Sequence, residues 1–168
     1  MAVAFFSKEM NGENLCRIVE DLAIRQGKPV YVHLLWESQL HELTLPPTAE
    51  DDEIVVLAST KEEPTHWTLL LLTKDRSEAV YFDPLGQAPT VRLSRLLDGV
   101  VRNWHYSTAK LQHQQAATCG FWCCFAAHWF FVRNCSLEES LNLLTSTLHP
   151  GTDKTVVAWV LKLINRGD

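Results

Sequence analysis

Residues 120–132, GFWCCFAAHWFFV, contain no Asp, Glu, Lys or Arg and are apolar on every side of a helical projection. Such a stretch has no face to offer water, so it must lie in the middle of a fold with other elements around it. Its 13 residues are too few to span a bilayer, which takes about 20. The expectation is a core helix, over residues 120–133. A helix wet on no side needs a full shell, and 168 residues supply one compact domain but not two. Residues 1–168 are therefore read as a single domain. A hydrophobic fraction of 46% and six tryptophans are what a globular chain with a core requires.

The shell can be read from periodicity. Residues 11–25 have helical spacing, with Leu15, Ile18, Val19 and Leu22 on one face. Gly27 is placed to end that helix. Residues 28–36 alternate as a strand does, Val30, Val32 and Leu34 against Tyr31 and His33. Residues 44–52, TLPPTAEDD, form a polar loop. Strands are expected over 53–58, 66–73 and 78–82. The second is apolar after His66, as a central strand is. The third stops at Asp83-Pro84. Residues 74–77 between the last two have the length of a hairpin turn. Residues 91–104 read as an amphipathic helix and 106–111 as a further strand. Ser136 and Glu139 make a capping-box pattern opening a helix that runs to about Thr147. Residues 152–165 form the last helix, with Val156, Val157, Val160, Leu161 and Ile164 inward. Strands grouped between helices indicate the α+β class.

Chemistry concentrates where the core helix begins. Cys119 immediately precedes the apolar run, so its thiol meets the positive end of the helix dipole and unpaired N–H groups. Both favour the thiolate, the reactive form. Gly120 allows close approach of another backbone. By itself a cysteine at a helix start is as well explained as a buried structural residue. His66 opens the apolar strand, and Asp83 closes the next one. In an antiparallel hairpin the start of one strand lies beside the end of the other. His66 and Asp83 are then expected at one sheet edge, where a carboxylate can fix the imidazole tautomer and stabilise its cation. Gln112 precedes Cys119 by seven residues. Its amide, with the Cys119 N–H, is a candidate oxyanion donor; Gln114 and Gln115 are alternatives. Cys119 and Cys123, or Cys124 and His128, lie four apart, which raises a zinc site. No paired CxxC or HxxxH element accompanies them. Cys123, Cys124 and His128 are read as core, and no metal site is assigned.

The order His66-Trp67, Tyr81-Phe82-Asp83-Pro84-Leu85-Gly86, Gln112, then Thr118-Cys119-Gly120-Phe121-Trp122-Cys123-Cys124 resembles the adenovirus endopeptidase (adenain) family. More distantly it resembles the SUMO and ubiquitin-like-protein proteases of the same clan. The likeness runs from His66 to about Thr145, including Asn142-Leu143-Leu144-Thr145, with a looser echo at Ile18-Val19-Glu20-Asp21-Leu22. It implies a papain-like domain with a central mixed sheet and a buried helix carrying the nucleophile at its N-terminus. It implies a cysteine endopeptidase cleaving after glycine-containing motifs and maturing viral precursor proteins, with deubiquitinating side activity. The matched roles are Cys119 as nucleophile, His66 as general base, Asp83 as acid and Gln112 as oxyanion donor. The acid departs from the adenovirus pattern, which has Glu there; the SUMO proteases have Asp.

The sequence by itself requires no cofactor. The adenovirus enzymes take an activating peptide through a disulfide, and DNA. Here no cysteine lies between Asp83 and Cys119, and the net charge is −5, which speaks against both. Five cysteines, an odd number with Cys123 and Cys124 adjacent, and no secretory pattern in residues 1–10 suggest free thiols in a reducing, intracellular compartment. A viral origin would place the chain in the host nucleus and the virion. The expected partners are proteins or peptides with glycine-rich cleavage sites and ubiquitin-like proteins, not a membrane. The rivals are a SUMO or ubiquitin-like-protein protease, an inactive binding module of the same fold, and a nucleic-acid-binding protein.

Overall fold

The computed structural model describes residues 11–42, 50–59, 66–112, 118–148 and 152–165. Residues 1–10, most of the expected loop at 44–52, and Gln114 and Gln115 lie outside these. Helix α1 spans Gly12–Arg25. Asn11 caps it, its side-chain oxygen accepting from the Asn14 N–H at 2.9 Å. Leu15, Val19 and Leu22 are buried at helical spacing. The helix ends at Gly27, whose φ of 63° is left-handed, and the Lys28 N–H returns to the Ala23 carbonyl at 2.9 Å. This is the glycine C-terminus that the sequence predicts.

Among the described residues, five strands form one mixed sheet in the order β1-β2-β3-β4-β5: Val30–Trp36, Asp52–Ala58, Trp67–Leu72, Glu78–Phe82 and Asn103–Tyr106. The two outer pairs are parallel and the two inner pairs antiparallel. A 3-10 turn over Glu37–Glu42, which periodicity does not signal, follows β1 and buries Leu40. Strands β2 and β3 are apolar on both faces because both faces are covered. Ile54, Val56, Leu69, Leu71, Val80 and Phe82 meet one core, and Val55, Leu57, Leu70, Leu72, Ala79 and Tyr81 meet the other.

The first core is the larger. It holds α1, α3 (Cys119–Val132), α4 (Leu137–Thr147) and α5 (Asp153–Asn165) against the sheet. Helix α3 runs through its middle, with Phe121, Trp122, Cys123, Cys124, Ala126 and Ala127 essentially inaccessible, as a helix without a polar side must be. Ser136 opens α4, its hydroxyl accepting from the Glu139 N–H at 3.2 Å. The second core is closed by α2, Val91–Val100, through Leu93 and Leu97.

Two expectations fail in the same place. The helix expected over 91–104 stops at Val100, and the strand expected over 106–111 is instead β5, ending at Tyr106. Val101 is already extended, with φ −118° and ψ 136°. Gly99 and the β-branched pair Val100 and Val101 are weak helix formers. Trp104 and Tyr106 stack on the sheet edge with centroids 6.1 Å apart, and the Trp104 indole donates to Asp98 at 2.8 Å. The ladder ends because its partner does. Tyr81 pairs with Tyr106, and two residues past Tyr81 the chain turns into Asp83-Pro84, where proline has no N–H to give.

Glu53 is buried at the end of the sheet far from Cys119, accepting from His33 and from Arg76, each at 2.5 Å. Burial alone would raise its pKa, but these two partners hold it below the usual carboxylate range. The cluster joins β1, β2 and the turn between β3 and β4, where Arg76 takes a left-handed φ of 59°.

Candidate active site

The antiparallel pairing of β3 with β4 aligns Leu69 with Phe82. His66, just before β3, and Asp83, just after β4, therefore leave the sheet at one end. Their side chains meet: His66 Nε2 donates to Asp83 Oδ1 at 2.8 Å. Asp83 is only 4% exposed, and the same oxygen accepts from the Leu85 N–H at 2.8 Å. With Nε2 engaged, Nδ1 is the nitrogen that remains for the thiol. His66 hydrogen-bonds Cys119 as well. Burial alone would lower the His66 pKa. The hydrogen bonds and charges of Asp83 and Cys119 outweigh it and raise the value to about 9. The pocket thus favours the imidazolium form of His66.

Cys119 is the first residue of α3, and Trp67 anchors it from the sheet. The Trp67 N–H donates to Cys119 Sγ at 3.4 Å, and the Trp67 carbonyl accepts from the Cys123 thiol at 3.5 Å. One peptide segment of β3 thus holds two cysteines a helical turn apart. Their roles differ. Burial pushes the Cys123 thiol well above its ordinary range, so it stays protonated and serves as a donor. A negative charge on Cys119 Sγ would instead face a backbone N–H, the start of a helix and the His66 ring.

Gln112 arrives by a route the sequence does not show. Asp83-Pro84-Leu85-Gly86 is a tight turn, closed by the Gly86 N–H on the Asp83 carbonyl at 2.8 Å. The Pro84 carbonyl accepts from both Leu111 and Gln112 N–H groups at 2.9 Å. Gly86 has a φ of 71°, and a Cβ there would meet the Thr108 and Ala109 carbonyl oxygens at 2.5 and 2.8 Å. The turn that holds the acid is therefore also the surface that seats the segment carrying buried Gln112. That segment is irregular, not the end of a strand.

Periodicity and motif together singled out His66, Asp83 and Cys119, and the structure brings these three into one constellation. Cys123 and Cys124 lie in the core. Asp153 went unnoticed. It accepts from Thr118 and Trp122 on either side of Cys119. An acidic residue opening a helix is so common that nothing local marks this one. Among the described residues no cluster of three or more His, Cys, Asp or Glu is placed to hold a metal, and no helix is long and apolar enough to cross a membrane.

No protein-family model matches the chain, and no curated protein matches its sequence. Solved structures do. The chain aligns with the Se-Met ASFV pS273R protease at a TM-score of 0.66 and 13% identity, over 90% of this chain and 66% of that one. A second crystal structure of that protease gives a TM-score of 0.51 and 12% identity, over 84% of this chain and 67% of the other. The Chaetomium thermophilum Ulp1-like SUMO protease catalytic domain aligns at 0.44 and 14%, over 88% and 68%. The chain spans about two thirds of the length of the ASFV pS273R protease, and what it shares with that protein is a mixed α+β fold with a central five-stranded sheet.

Proposed function

We propose that this chain is a cysteine-type endopeptidase with Cys119 as nucleophile, His66 as general base and acid, Asp83 as the residue that orients the imidazole, and Gln112 as oxyanion donor. The observation that carries the proposal is the pairing of His66 with the buried Asp83 carboxylate, the same histidine being hydrogen-bonded to a cysteine at the start of a core helix. A structural cysteine needs neither the histidine nor the carboxylate. A solved protease of the same fold adds support.

In the reaction, Cys119 Sγ attacks the scissile carbonyl carbon and the C=O electron pair moves to oxygen. That oxyanion is received by the Cys119 N–H and the Gln112 amide. On collapse, His66 protonates the departing amine and a thioester remains. His66 then takes a proton from water, which attacks the thioester and releases the carboxylate and the Cys119 thiolate. Throughout, Asp83 keeps Nε2–H engaged so that Nδ1 faces the sulfur.

The preferred substrates are polypeptides with glycine immediately before the cut, including viral precursors and ubiquitin-like proteins. The resemblance to adenain supports this. The test is hydrolysis of a fluorogenic peptide ending in Leu-X-Gly-Gly by native protein and Cys119→Ala. Activity lost in the variant is the expected result. A native protein that neither cleaves the peptide nor labels at Cys119 with a ubiquitin-like vinyl sulfone would favour an inactive binding module.

A further inference from the structure

We infer that Asp153, the first residue of α5, is a positioning residue for Cys119; the inference rests on the peptidase reading above. Asp153 is 9% exposed, and its Oδ1 accepts two bonds, from the Thr118 hydroxyl at 2.6 Å and from the Trp122 indole N–H at 3.0 Å. These donors flank the nucleophile, one just before it and one nearly a turn after it. One carboxylate oxygen therefore grips the turn of α3 that bears Cys119.

Thr118 occupies the N-cap of α3. A threonine there normally turns its hydroxyl inward to accept from an N–H of the first turn. Thr118 makes no such bond; its φ of −113° and ψ of 6° are not those of an extended cap, and its hydroxyl donates outward to Asp153. The consequence is twofold. The Thr118 side chain is thereby committed to α5 and not to the first turn of its own helix. The turn is also clamped from two sides, by Asp153 of α5 on one and by the Trp67 backbone on the other. Since a displacement of about 1 Å can cost about a hundredfold in rate, such a clamp bears directly on turnover.

The experiment measures kcat and KM on the glycine peptide, and the pH profile of Cys119 alkylation by iodoacetamide read by mass spectrometry. The proteins are native, Asp153→Ala, Asp153→Asn, Thr118→Val and the Asp153→Ala/Thr118→Val pair. Asp153→Ala is expected to lower kcat about tenfold to a hundredfold with a smaller change in KM, and to shift the alkylation profile. Asp153→Asn, which can accept both bonds, should recover most of the loss. Thr118→Val should reproduce part of it, and the pair should be no worse than Asp153→Ala alone. A lowered melting temperature with native kcat and a native profile would overturn the inference, as would Asp153→Asn being as slow as Asp153→Ala. Where Asp153→Ala does not fold, a native profile in Thr118→Val overturns it instead. The alkylation readout needs no substrate. A native protein without peptidase activity but with a shifted profile in Asp153→Ala would sink the peptidase reading and leave the positioning role standing.

Discussion

His66 stands between a buried carboxylate and a thiol, and both draw its proton equilibrium upward, to about 9 from an ordinary 6.5. The sign of the consequence follows from linkage. A group whose pKa is raised on folding adds stability that is fully present below its unfolded value, here about 6.5, and lost as pH climbs through the folded one. Native protein should therefore exceed His66→Ala in melting temperature at and below pH 6.5, with the difference shrinking as pH rises through about 9. Peptide hydrolysis should fall over the same upper range, as the imidazolium that protonates the leaving amine is lost. Thermal melts of both proteins across that window check the first, and kcat against pH the second. A melting difference that stays constant across the window would contradict the assignment of the proton to His66. This pair was legible in the sequence. The hairpin turn between two apolar runs forces the residue before one strand beside the residue after the other.

At the scale of elements, the turn at 83–86 does two jobs, closing the acid's strand and seating residues 108–112. Gly86→Ala should reveal both. Its left-handed φ and the two carbonyl oxygens in the way make a cost of about 1–3 kcal/mol expected in urea denaturation. Because the segment that must yield carries Gln112, kcat should fall as well. Loss of stability with native kcat would mean that Gln112 is seated independently of the turn. None of this coupling is visible locally. The expected strand at 106–111 was wrong for the same reason: Tyr106-Ser107-Thr108-Ala109 has acceptable strand composition, but the ladder it would join ends at Asp83-Pro84. The helix ends at Gly27 and Ser136 were readable because a cap is a contact within four residues of itself, whereas Asn11, counted within the helical stretch, caps it instead.

Across the whole molecule, the sheet separates two cores, and only the larger one holds the site. Leu97→Ala, in the core closed by α2, should cost about 2–5 kcal/mol of stability by leaving a cavity. The folded fraction should still alkylate Cys119 at the native rate, since β3 and β4 stand between. Urea denaturation and iodoacetamide labelling below the transition test the two halves together. A changed labelling rate would show that strain crosses the sheet. The sequence alone determined that α3 must be central, that the strands lie between helices, and that His66 and Asp83 share an edge, because burial demand, periodicity and a short turn act over a few residues. The tertiary structure alone decided where Gln112 sits, how Trp67 holds two cysteines, and that Asp153 reaches Thr118 across 35 positions of chain. Those contacts join elements distant in sequence, and their partners are ordinary residues until the packing of α3 and α5 against one sheet brings them within bonding distance.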